Sequence, residues 1–168
     1  MKLLLILVVL ASNIVWGEWI EPPTRSAKGY RVPTPDYVPV FPRDHGSHPE
    51  HGIEWWYWVG HLNAVDSGKK FGFQSTIFRL AGDPEKSGVT QSEPFGNQNL
   101  FLVHTALSDF EEEKYIHHER VIREGWQARS SEKTLSLTVG GVKVNLLEDE
   151  DRHKVVTRYP DGAKLELT

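Results

Sequence analysis

From Glu54 onward the chain is written in short segments of period two, separated by turn clusters, and no stretch carries sustained helical periodicity. Glu54 to Asn63 is an aromatic-rich segment that stops at Ala64-Val65-Asp66-Ser67-Gly68, and Lys70 to Leu80 alternates as its hairpin partner. Asn99 to Asp109 and Lys114 to Arg123 flank the turn at Glu111-Glu112-Glu113. Shorter units follow: Trp126 to Ala128, Thr134 to Val139, Val142 to Leu147, Lys154 to Tyr159 and Lys164 to Thr168. Gly140-Gly141 and Pro160-Asp161-Gly162 supply tight turns between them. Eight or nine strands joined mostly by hairpins predict an all-β, antiparallel up-and-down meander, as a barrel or a sandwich. A barrel pairs every edge. Because the chain ends within a strand, it is expected to be part of something longer.

The segment ahead of the strands has a different character. Pro22, Pro23, Pro33, Pro35, Pro39 and Pro42 fall within residues 18–43. Each fixes φ and removes a backbone donor, so an extended surface lead-in is expected rather than a helix or a central strand. Residues 1–17 combine Lys2, an apolar run from Leu3 to Ala11 and a Val15-Trp16-Gly17 site. The run is too short to cross a bilayer. It reads as an export signal with the mature chain starting near Glu18, an uncleaved anchor being the alternative. The expected location is secreted or periplasmic. Between Gly82 and Gln98 lies a long polar loop, a length that usually carries either a purpose or disorder.

Composition removes several classes of function. A net charge of −4 offers no basic surface for nucleic acid. The absence of cysteine excludes disulfides, thiolate nucleophiles and cysteine zinc sites. There is no GxSxG nucleophile elbow, no GxGxxG and no P-loop. Six Trp in 168 residues are instead a large aromatic load, suited either to filling the core or to stacking on a flat or unsaturated ligand.

Several local patterns are distinctive. Arg43-Asp44-His45-Gly46-Ser47-His48-Pro49-Glu50-His51 precedes Glu54-Trp55-Trp56-Tyr57. Phe71-Gly72-Phe73-Gln74 with Phe78-Arg79 follows, then His104 to Asp109, then His117-His118-Glu119-Arg120. In this order and spacing the chain resembles the AttH/CrtC family of lipocalin-like proteins, over residues 42 to about 168. The family includes carotenoid 1,2-hydratases and secreted proteins labelled as hydrolases. The resemblance implies a lipocalin-like domain over residues 44–168 as the first of two barrels. The second half would carry an Asp-His and Glu-Trp motif that is absent here.

Strand parity places Glu54, Trp56, Trp58 and Gly60 on one face, with Trp55, Tyr57, Val59 and His61 on the other. Glu54 and His104 are the candidate catalytic residues. A carboxylate among aromatics could protonate an alkene whose carbocation those rings stabilise, with no cofactor. Alternatively Glu54 pairs with Arg79 or Arg43 and closes the barrel. His104, with Leu102 and Ala106 on its face, either points into a pocket or is a satisfied core histidine. Trp56, Trp58, Tyr57, Gln74, Arg79 and His45 are the candidate ligand-binding residues. Arg79 could hold a ligand carboxylate or make a structural salt bridge. His45, His48 and His51 recur every third residue, but Gly46 and Pro49 make the segment a loop, and no metal is expected there.

Three functions are consistent with these residues. The first is a secreted binding module for an apolar, lipid or isoprenoid ligand. The second is a cofactor-independent hydro-lyase of the carotenoid hydratase type, and the third is a structural part of a cell-envelope assembly. Partners would be an apolar small molecule or lipid, the envelope or its membrane, and the missing second half, but not nucleic acid. Export makes a direct prediction: N-terminal sequencing of the mature protein starts near Glu18. Retention of Met1 in a cytosolic product would end that reading.

Overall fold

The computed structural model describes residues 20–83, 99–147 and 152–168. Residues 1–17, expected to be an export signal, and most of the long loop after Gly82 lie outside the described residues. Within them the protein is all-β and antiparallel, with a single 3-10 turn at Arg43–His45. Nine strands follow in order: β1 (Ile53–Asn63), β2 (Lys70–Leu80), β3 (Leu100–Asp109), β4 (Lys114–Arg123), β5 (Ala128–Ser130), β6 (Ser136–Val139), β7 (Val142–Leu146), β8 (His153–Arg158) and β9 (Lys164–Leu167).

The strands form two meanders. The first sheet has the order β1-β2-β3-β4 and the second the order β5-β6-β7-β8-β9. Sequential neighbours pair in each, as hairpin connections require. The β1–β2 turn closes with Gly68 donating to the Ala64 carbonyl and Ala64 donating to the Lys69 carbonyl. The β6–β7 turn has both central residues at positive φ, Gly140 at 55° and Gly141 at 100°. That is the backbone of a type I′ hairpin. Gly140 has a second reason to lack a side chain: a Cβ there would sit 2.6 Å from Ile122 Cδ1 on β4. The second sheet's tightest turn is therefore pressed against the first sheet.

The core lies between the two sheets. Ile77, Phe101 and Val103 come from the first, and Ala128, Leu135, Leu137, Val139, Val142, Val144 and Val155 from the second sheet and its turns. β6 and β7 alternate buried with less buried positions, as a half-buried strand should. Polar links cross the same space. Ser75 Oγ and Thr157 Oγ1 are 3.3 Å apart, and Tyr159 Oη donates to the Ala106 carbonyl at 3.2 Å. Burial pushes the Tyr159 phenol up to about 12, with Asp161 adding to the shift.

The lead-in runs along the surface, tied by a few backbone bonds such as Arg31 N–H to the Glu50 carbonyl. Among the described residues, the opposite side of the first sheet, facing away from the core, carries several exposed large apolar side chains. Registers place five cross-strand rows on it, of which Trp55–Phe78–Leu102–Val121 and Tyr57–Thr76–His104–Glu119 are central.

This packing predicts a sharp contrast in stability. Phe101→Ala, at a fully buried site, should cost about 3–5 kcal/mol. Trp126→Ala, at a turn position 97% exposed, should stay within about 0.5 kcal/mol of the parent. Urea unfolding of both variants checks it, and similar losses would contradict the core assignment.

Candidate functional site

Two groups of side chains meet around the first sheet, one on each face. The core-side group is built on Glu54 at the start of β1. Its register partner on β2 is Arg79, whose Nε donates to Glu54 Oε1. Arg79 is 2% exposed and spends a second nitrogen on the carbonyls of His48 and His51, at 2.8 and 2.9 Å. The His48 N–H donates back to both Glu54 oxygens, at 3.1 and 2.9 Å. One buried ion pair thus ties the loop before β1 to two strands.

The same loop adds a second layer. His48 Nδ1 lies 3.1 Å from Glu54 Oε2, and its Nε2 lies 3.1 Å from Asp44 Oδ1. Each ring nitrogen thus faces a carboxylate oxygen, and a nitrogen that carries hydrogen donates to it. Asp44 also accepts from the Tyr37 hydroxyl at 2.5 Å and the Val40 N–H at 2.6 Å. These bonds favour the carboxylate and hold it down to about 2, the tyrosine contributing most. The network Tyr37–Asp44–His48–Glu54–Arg79 therefore fastens the proline-rich lead-in to the sheet.

Trp56 and Trp58 share the face of Glu54 and pack against the core cluster. Their indole N–H groups are both engaged: Trp56 donates to the His45 carbonyl at 3.0 Å and Trp58 to His153 Nδ1 at 3.3 Å. The His153 ring must accept there, and burial, then the nearby His45, lower its pKa in keeping with that. The His45 ring lies against Phe41, centroids 4.3 Å apart, and edge-on to His153 at 5.2 Å. These residues close the space between the sheets.

The outer face holds the remaining candidates. Tyr57, Gln74 and His104 all lie on it, so Glu54 and His104 are on opposite sides of one sheet and do not meet. Trp55 and Tyr57 are 55% and 62% exposed on this face, and Val59 and Val121 are as open. Phe78 underlies Trp55 with centroids 6.3 Å apart, and stands edge-on to His104 at 5.9 Å. At the far end of the face is a hollow of about 380 Å³ lined by Val59, Gly60, His61, Gly72, Phe73, Gln74, Ala106, Ser108 and Tyr115. Gln74 donates to Thr76 Oγ1 at 3.2 Å beside it.

Sequence reasoning named Tyr57, Gln74 and His104 as site residues without uniting them, and gave no site role to Phe78, Ser108, Tyr115 and Glu119. The signal was present in the parity of each strand. What was missing was the register, which puts Tyr57, Thr76, His104 and Glu119 in one row. Among the described residues, no group of three or more His, Asp or Glu side chains is placed to hold a metal ion. His48 and His51 turn their ring nitrogens to protein partners instead.

The family model described as AttH-like matches residues 32–168. No curated protein matches the chain, and no solved structure does.

The clasp around Glu54 makes its own prediction. Arg79→Met leaves a buried carboxylate without its cation, so the variant should lose about 3–5 kcal/mol in urea unfolding. A loss below about 1 kcal/mol would show that the pair does not hold the loop.

Proposed function

The chain belongs to the AttH-like family, which is lipocalin-like, and from that premise we propose that it is an exported binding module for an apolar or amphipathic ligand of the lipid or isoprenoid kind. The ligand lies on the outer face of the first sheet. The space between the sheets is occupied by core side chains, with Trp56 and Trp58 packed against them.

One observation carries this reading. The outer face presents Trp55, Tyr57, Val59, Tyr115 and Val121 to solvent, each more than half exposed, over a floor of Phe78 and Leu102. Contiguous apolar patches of this kind are rare on soluble monomers and mark sites of binding. Flat rings and branched aliphatics suit a chain-like or unsaturated hydrocarbon, and the neighbouring Gln74, Ser108 and His104 add a few polar groups, the usual composition of a ligand site. The leader at residues 1–17 supports export. The hydro-lyase alternative draws no support from Glu54, which is engaged by Arg79 and His48 on the core side.

The test is fluorescence titration with a conjugated polyene such as all-trans-retinol. Binding should quench Trp emission, and Trp55→Ala should weaken it by about 1–3 kcal/mol through lost burial and stacking. Trp126→Ala, at the exposed turn, should leave affinity unchanged. No quenching, or quenching indifferent to Trp55, would overturn the proposal.

A further inference from the structure

Resting on the binding reading above, we propose that the ligand is amphipathic and that it lies along the strands, its apolar chain on the Trp55 row and an uncharged hydroxyl head accepted by His104 at the edge of the hollow.

The outer face is graded along the strand direction. Trp55–Phe78–Leu102–Val121 is wholly apolar. The next row, Tyr57–Thr76–His104–Glu119, is polar from edge to edge. Beyond it the hollow mixes His61, Gln74, Ser108 and Tyr115 with Val59 and Phe73. The Ile53–Leu80–Leu100 row on the other side of Trp55 is apolar as well, and from it to the His104 row is four residues, about 13 Å at 3.3 Å per residue. That span fits an extended chain with one polar end. A pure hydrocarbon would bury the polar row without satisfying it, at a cost that disfavours it.

His104 identifies the kind of head. Its Nε2 is enclosed and has no hydrogen-bond partner, although Glu119 Oε2 stands 3.5 Å away. Glu119 is half exposed and is the charged group nearest that nitrogen across the strands. A hydrogen on Nε2 directed at Glu119 leaves Nδ1 as a lone-pair acceptor. Around the ring stand Thr76 and Glu119 in its own row, Phe78 at 5.9 Å and His117 at 6.3 Å. The acceptor therefore asks for a ligand O–H. A carboxylate head would bring a second acceptor toward Nδ1 and a like charge toward Glu119.

Three retinoids that differ only at the head test this on the full chain by Trp quenching: all-trans-retinol, its hydrocarbon counterpart anhydroretinol, and all-trans-retinoic acid. Retinol should bind about three- to tenfold more tightly than anhydroretinol, the value of one hydrogen bond, and more tightly than the acid. His104→Phe keeps the ring and removes the acceptor, so it should erase the preference while hydrocarbon binding persists. His104→Leu should do the same, and circular dichroism checks that both fold. Equal binding of retinol and anhydroretinol by the parent chain overturns this inference and leaves the binding reading standing. So does tighter binding of the acid, or a preference that survives both His104 variants. Failure of all three probes to bind overturns the binding reading itself, and this inference with it.

Discussion

The contact between Glu54 and Arg79 sits where β1 and β2 are in register, and the arrangement of the first sheet depends on that register. Side chains alternate across a strand with period two, so a slip of one residue would exchange the two faces of β1. Trp56 and Trp58 would then face solvent, and Trp55 and Tyr57 would be driven into the core. A buried ion pair contributes little net stability over a well-packed apolar pair. Its value here is positional, because a buried charge tolerates only the alignment that neutralises it. The loop carbonyls of His48 and His51, bonded to the same guanidinium, extend that constraint to the segment before β1.

The consequence is a division of labour among four adjacent aromatics. Trp56 and Trp58 turn inward, find partners for both indole N–H groups and join the core. Trp55 and Tyr57 turn outward and remain more than half exposed. Leaving two large rings in water forgoes stabilisation that burial would supply. The outer face forgoes it over several neighbouring strands. The fold thereby separates a packed side of the first sheet from an exposed one, with the β6–β7 hairpin and the second sheet closing the inner side.

Electrostatics follow the same separation. On the inner side, each side chain of the Tyr37–Asp44–His48–Glu54–Arg79 network is bonded to another of its members, and Asp44 is held ionised well below the usual carboxylate range. Such a well-bonded network rigidifies a loop. On the outer side, His104 Nε2 stands 3.5 Å from Glu119 without a hydrogen bond, as Arg43 Nη1 is without one beside the loop.

Much of this was legible in the residues alone. Alternation and turn chemistry are local properties, so seven of the nine strands fall within one residue of where the pattern predicts them, while β5 is shifted by two residues and β6 begins two residues late. Gly140-Gly141 announces its hairpin because only such residues take two successive positive φ values cheaply. Parity also separated Glu54, Trp56 and Trp58 from Trp55 and Tyr57. What parity cannot say is which of those faces meets the second sheet, since both are rich in aromatics. It likewise cannot bring His104 and Glu119 into one row, or set Glu54 against Arg79, because register is a relation between strands and not a property of either. The sequence by itself determined an all-β antiparallel meander and the membership of each strand face. Only the tertiary structure decided which face became core and which stayed open, because that choice rests on the packing of β5–β9 against one side of the first sheet.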